Sequence, residues 1–302
     1  MQNTTSITAL MSAFGRAYHA EKAKNPVFAD TKARELMTDE EYGMIAAYIL
    51  GGIDFFAPGQ KDGFADGGEA LTYLVNTQIA PTPLARAAFC EDALKTAVQT
   101  GAEQYVILGA GMDTFAFREP ELLKRIDVFE VDHPLTQADK KNRIKRAGWT
   151  MPERLHFVPM DFTKDELCTK LAEAGLSPEK KTFFSWLGVS MYLDRGAIEN
   201  MLANIAALAA DGSALVFDYA DSGLFCSDVK RVQNMLAMAK AGGEEMRSGF
   251  EQTELELMLS GHGFSVYEHL NRGEIQNRFF SGRDDELTAF EHICYAHAVL
   301  KK

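Results

Sequence analysis

The chain has 302 residues, 46% of them hydrophobic, with a formal net charge of -12. That length can bury one large core or two modest ones, and the acidic balance weighs against a protein built to neutralise nucleic-acid phosphates. No stretch reaches the ~18 consecutive apolar residues of a membrane span, and no basic leader precedes an apolar run at the N-terminus, so a cytoplasmic protein is expected. Cys90, Cys168, Cys226 and Cys294 are scattered without a CxxC pair, which predicts reduced core thiols, with no disulfide and no metal site.

In chain order, Ile7, Leu10, Met11, Phe14 and Tyr18 recur at three- and four-residue spacing and predict an amphipathic helix that Pro26 stops. Thr38 with Glu41 forms a capping box for a helix through Tyr42, Ile45 and Ile49, closed by Gly51-Gly52. The glycine-rich stretch 51–68 reads as an irregular surface loop, a candidate lid. Thr82 and Pro83 open a helix that carries Arg86 and runs to Gly101.

Beyond Gly101 short apolar runs alternate with helical patterns: "QYVILG", "DVFEVD", "LHFVPMD", "TFFSWLG", "SALVFDY", "FSVYEHL" and "ICYAHAVL". Strand, helix, strand, repeated, predicts an α/β fold: a doubly wound, mainly parallel seven-stranded sheet, its last two strands an antiparallel edge pair. Asp194 is the expected N-cap of a helix through Ile198, Met201, Leu202, Ile205 and Leu208. "KKNRIKR" at 140–146 reads as a solvated helix face. His292, Cys294 and His297 read as strand core, since residues 292 and 294 share one strand face and His297 points to the other.

In such a sheet ligands bind beyond the carboxyl ends of the strands. Gly109 and Gly111 end the first strand, where glycine lets backbone N–H groups approach a ligand; Glu130 and Asp132 end the second, roughly 20 residues on, where a carboxylate can accept both hydroxyls of a ribose. The third glycine of a dinucleotide-binding GxGxxG is replaced by Thr114, which favours a phosphate-free adenosyl sulfonium over a dinucleotide. Asp161, after the third strand, either accepts the adenine amino group, with Phe162 supplying a backbone N–H, or caps the following helix.

The combination of "LGAGMDT" at 108–114, "EVDHP" at 130–134, "MDF" at 160–162, "FFSWLGVSMYL" at 183–193 and "HICYAHAV" at 292–299 resembles the leucine carboxyl methyltransferase family, over most of the chain. That resemblance implies a Rossmann-like, class I methyltransferase fold with an N-terminal helical cap. Residues 1–82 would be cap and lid, and residues 83–302 the S-adenosyl-L-methionine-binding domain. It implies that Arg86 binds the cofactor carboxylate, that Gly109 and Gly111 lie against the methionine portion and its turn, that Asp132 holds the ribose, and that Asp161 and Phe162 hold the adenine. Asp113 is expected to fix the loop. Where the family has an acid this chain has Leu187, and Asp218 is the candidate substitute.

Methyl transfer from a sulfonium is an in-line displacement governed by positioning. A carboxylate acceptor needs no base, whereas a phenol would. His133 should point away from the site, and Tyr192 and Arg16 are the candidate acceptor-site residues. The leading expectation is O-methylation of a small-molecule carboxyl or hydroxyl. A protein C-terminal carboxyl methyltransferase, a degenerate cofactor-binding module and, disfavoured by Thr114, a nicotinamide-dependent oxidoreductase are the alternatives.

Overall fold

In the computed structural model, which describes residues 6–162 and 164–302, Ser6 opens α1 (Ile7–Lys22) by accepting the Ala9 amide on its hydroxyl. Phe14 and Tyr18 are buried and Leu10 and Met11 pack against them, as the spacing predicts. Ile7, at the very start of α1, is exposed instead. After α2 (Thr31–Glu35) the capping box forms as predicted: Thr38 Oγ1 accepts the Glu41 amide at 3.0 Å and Glu41 Oε2 accepts the Thr38 amide at 2.9 Å. It opens α3 (Asp39–Gly51).

The 51–68 stretch is not an irregular loop. It holds α4 (Ile53–Phe56), a 3-10 turn at Lys61–Gly63 and the start of α5 (Gly67–Leu74), which Asp66 caps. Ile53, Phe56 and Ala57 are buried, and these apolar anchors outweigh the local glycine content. Then α6 (Pro81–Gln99) begins at Pro81, slightly earlier than expected, because a residue without an N–H loses nothing at the first helical position.

Seven strands follow: β1 (Gln104–Leu108), β2 (Asp127–Asp132), β3 (Leu155–Pro159), β4 (Thr182–Trp186), β5 (Ala214–Ala220), β6 (Phe264–Leu270) and β7 (Ile293–Leu300). Their order is β3-β2-β1-β4-β5-β7-β6, with β7 antiparallel to both neighbours. Alternate side chains face opposite ways, as a pleated strand requires. Tyr105, Ile107, Phe183 and Val216 join the apolar cluster shared with α1–α6. Val106, Leu108, Phe184, Trp186 and Phe217 join a second cluster with the Arg195–Leu208 and Gln252–Gly261 helices. Asp194 accepts the Ala197 amide at the head of the former, as predicted. The N-terminal helices therefore form one covering layer of a doubly wound sheet.

Two further expectations are corrected. In "KKNRIKR", on the Pro134–Arg146 helix, Lys140 and Arg143 are buried: Lys140 pairs with Glu130 on β2, and Arg143 holds both oxygens of Glu41 while also bonding Leu36 O. Glu41, remote in sequence, compensates the buried charge of Arg143, and Glu130 gives Lys140 a buried hydrogen-bond acceptor, which no local charge pattern reveals. Likewise His292 is not strand core. It precedes β7 in a left-handed backbone with φ 61, while Cys294 and His297 lie inside the strand and are buried. Cys90 is also buried, Cys168 partly so, and Cys226 is exposed rather than a core thiol. Among the described residues no helix is long and apolar enough to cross a membrane.

Candidate functional site

From β1 the chain winds outward to β2 and β3, then returns to β4 and β5 on the other side, so the crevice beyond β1 and β4 is the switch point of the sheet. Gly109 and Gly111 turn the chain there with φ 75 and 49. Their amides, however, already have partners within the protein. Gly109 N–H bonds Val131 O at 2.9 Å, Gly111 N–H bonds Asp132 Oδ2, and a β-carbon at Gly109 would lie 2.7 Å from Val189 Cγ2. The turn and close packing thus make their own demand for glycine here.

Asp132, at the end of β2, receives two backbone amides, from Gly111 on Oδ2 and from His133 on Oδ1 at 2.6 Å. Burial raises its pKa while those amides favour the ionised form. Each oxygen retains a lone pair, so a fixed carboxylate remains able to accept further hydroxyls. Glu130 is not a counterpart: it is fully buried against Lys140. Asp161 accepts Lys164 Nζ, and Phe162 is 37% exposed beside it. The next helix starts at Leu167 with Glu166 as its N-cap, so the capping reading of Asp161 fails.

Arg86, on α6, donates Nη1–H to Asp218 Oδ2 at 3.0 Å, and Asp218 Oδ1 accepts the amide of Gly188. Among the described residues its Nε and Nη2 have no hydrogen-bond partner, leaving part of a fork suited to a carboxylate. Tyr192 follows on the Ser190–Tyr192 turn. Burial pushes its phenol up to about 12.

The Arg16 guanidinium donates three of its five N–H groups inside the protein, to Asp30 Oδ2 at 2.9 Å, Ser12 Oγ and Met112 O, so it is anchored to the turn after β1. Asp30 also accepts the hydroxyl of Thr114, which in turn accepts Arg118 Nε, and Arg118 pairs with Glu91. This buried network ties α1 and α2 to the turn after β1. Thr114 thus fills the position of the missing glycine, and beyond it stands only a one-turn helix, Phe115–Arg118, with carboxylates of Asp30 and Asp113 nearby. That is a poor host for a pyrophosphate, which binds best at a long helix N-terminus free of anions. Asp113 accepts the Phe115 amide and fixes the loop, and His133 Nδ1 accepts the Leu135 amide as the N-cap of the Pro134–Arg146 helix.

The leucine carboxyl methyltransferase model matches residues 9–206. The chain belongs to the leucine carboxyl methyltransferase family. YktD of Bacillus subtilis (strain 168), which carries the name of an S-adenosyl-L-methionine-dependent methyltransferase, is 45% identical over 303 residues, covering 99% of each chain. A relative of like name from Mycolicibacterium paratuberculosis is 29% identical, over 90% of this chain and 83% of its own. In fold the chain is similar to a solved structure from Thermobifida fusca YX described as a methyltransferase, with TM-score 0.60 and 12% identity over 99% of this chain and 96% of that one. A duf574 family protein from Streptomyces avermitilis gives TM-score 0.56 and 17% identity, over 85% and 96%.

Within this family member, Leu187 packs against the apolar core, and the carboxylate beside the same loop comes instead from Asp218 on β5. Gly188 was missed in the sequence. It has φ 69, and a β-carbon there would collide with the Arg86 guanidinium; the "LG" that ends the fourth apolar run is its only signal. Asp30 was missed too, and nothing around it in the sequence marks it as the hub of a buried network.

Proposed function

We propose that this S-adenosyl-L-methionine-dependent methyltransferase methylates a carboxylate oxygen of a small-molecule acceptor, with Arg86, Asp132, Asp161 and Phe162 holding the cofactor and residues 1–82 capping the 83–302 unit. When bound, the cofactor supplies an activated methyl on a sulfonium. The observation that carries the reading is the pair of fixed, opposite charges flanking the switch-point crevice: Asp132, pinned by two amides, and Arg86, pinned by Asp218. Asp132 would accept ribose hydroxyls, Arg86 would take the amino-acid carboxylate, and the exposed Phe162 ring would cover the adenine.

The preference for a carboxylate over a hydroxyl rests on the absence of a poised base among the described residues around the crevice. Asp218 is committed to Arg86 and Gly188, His133 to a helix N-terminus, and the Tyr192 phenol stays protonated. A carboxylate arrives ionised and needs only to be held in line with the methyl. The test is isothermal calorimetry with S-adenosylmethionine, S-adenosylhomocysteine and NAD in parallel, followed by a turnover screen of carboxylic acids against matched phenols. Adenosyl binding, no heat with NAD and turnover confined to the acids are expected. Turnover of phenols alone would reverse the acceptor assignment.

A further inference from the structure

A cavity of about 370 Å³ opens farther along the same edge of the sheet, where β5 ends, β6 ends and β7 begins; Tyr219, Asp221, Glu251, His269 and His292 are among its walls. Asp221 directly follows β5 and His292 directly precedes β7, and the Asp221 amide bonds His292 O at 2.9 Å. Their side chains meet as well, Asp221 Oδ1 to His292 Nδ1 at 2.8 Å, and His292 Nε2 lies 3.1 Å from Ser227 Oγ. The order decides the chemistry. A carboxylate only accepts, so Nδ1 carries the proton, Nε2 of the neutral ring is bare, and the Ser227 hydroxyl donates to it.

The backbone is shaped around this relay. His292 holds φ 61, a conformation that side-chain-bearing residues adopt at a cost. Gly223 leaves room for the pair: a β-carbon there would lie 2.9 Å from His292 Cε1 and 3.1 Å from Asp221 Oδ1, and its own amide donates to Asp221 Oδ1 at 2.8 Å. Val229 N–H points at Ser227 Oγ at 3.3 Å, where it would steady a developing negative charge. The amide of Asp228, next to the serine, has no acceptor among the described residues. A free amide immediately after a nucleophilic serine is one half of an oxyanion hole.

Ser227 is not itself a wall of the cavity but adjoins it through His292, which is. We infer that Ser227 is a base-activated nucleophile that takes the acyl group of a small ester bound beside this cavity and passes it to water. In the first step the Ser227 Oγ–acyl carbon bond forms as its proton moves to His292 Nε2; the ester C–O bond then breaks and the alcohol leaves with that proton. In the second, water attacks the acyl carbon, His292 takes its proton and returns it to Ser227 Oγ, and the carboxylic acid departs. Asp221 holds the imidazole in its tautomer and balances its transient charge. The carboxylates of Asp221 and Glu251 at the cavity make an uncharged or cationic ester the fitting substrate class and disfavour an anionic one. None of these residues belongs to the methyl-transfer crevice.

The test is labelling of the intact protein with an alkyl fluorophosphonate, which reacts with activated serines and leaves the exposed Cys226 untouched, followed by peptide mass mapping and an assay with p-nitrophenyl acetate. Labelling at Ser227, abolished in Ser227→Ala and slowed at least about 100-fold in His292→Asn, is expected. Asparagine tolerates the left-handed backbone, so the second variant removes the base without refolding the turn. S-adenosylmethionine binding, unchanged in both, reports that each is folded. No labelling of the wild-type protein, or labelling that persists in Ser227→Ala, would overturn the proposal and leave the trio as a clasp joining β5 to β7.

Discussion

Arg86 and Asp218 meet at 3.0 Å across the ends of α6 and β5, the carboxylate fully buried and the guanidinium partly open to the crevice. Removing one member of such a pair strands the other. Asp218→Ala is therefore expected to lower unfolding free energy toward the lower end of about 3–5 kcal/mol, because Arg86 retains some solvent. The double variant Arg86→Met, Asp218→Leu should lose less than the single one. Urea titrations decide this, and a double variant as unstable as the sum of its parts would show that the two act separately. Arg86→Lys keeps the charge but loses the fork, so S-adenosylmethionine should bind about tenfold more weakly with little change in stability.

Asp132 is already satisfied by two amides, so its further capacity is directional. Asp132→Ala is expected to weaken S-adenosylmethionine binding by about 1–3 kcal/mol, the cost of losing hydrogen bonds to a charged group. It should also cost stability by freeing two amides. Asp132→Asn separates the effects: one amide oxygen still accepts a backbone N–H while the charge is gone. Calorimetry of both variants that gives wild-type affinity would remove Asp132 from the ribose.

The elements that periodicity specifies were legible in the sequence: the Thr38–Glu41 capping box, the Asp194 cap and all seven strands form as expected. Such features rest on interactions within a few residues. What was not legible depends on partners far along the chain. Arg143 looked like one more solvated cation until Glu41, some hundred residues earlier, closed on it; Arg16 looked free until Asp30 and Met112 O took two of its donors. Gly109 was singled out as a place for close backbone approach, and packing that the sequence did not show adds its own demand, since Val189 leaves no room for a β-carbon there.

That long-range pairing makes a prediction of its own. Arg143 binds both Glu41 oxygens, at 3.0 and 2.8 Å, and Leu36 O at 3.0 Å, joining α3 to the Pro134–Arg146 helix. Arg143→Ala should cost about 2–4 kcal/mol, well above the near-zero value of a surface charge. Lys145→Ala on the exposed side of the same helix supplies the comparison and should change the denaturation midpoint little. Equal midpoints for the two variants would return the cluster to a solvated face.

The last prediction concerns acid. Burial holds the pKa of His19 and of His297 down to about 4, and His19 Nε2 accepts the Val27 amide, which it can do only when neutral. A folded-state pKa below the unfolded value of 6.5 means that between 6.5 and 4 the unfolded chain binds protons that the native state refuses. The stability these residues contribute is present above 6.5 and lost as pH falls. Glu130 acts oppositely: burial, only partly offset by Lys140, raises its pKa above the unfolded 4.5, so the native state keeps a proton the unfolded chain has released, and this contribution fades as pH rises. Between 4.5 and 6.5 two histidines oppose one carboxyl, a net loss of about 1.4 kcal/mol per pH unit on acidification. Glu130→Gln removes the opposing proton and should steepen the fall, and His297→Gln should flatten it. Urea titrations at closely spaced pH values measure the three slopes, and parallel profiles for wild type and both variants would disprove this assignment of the protons.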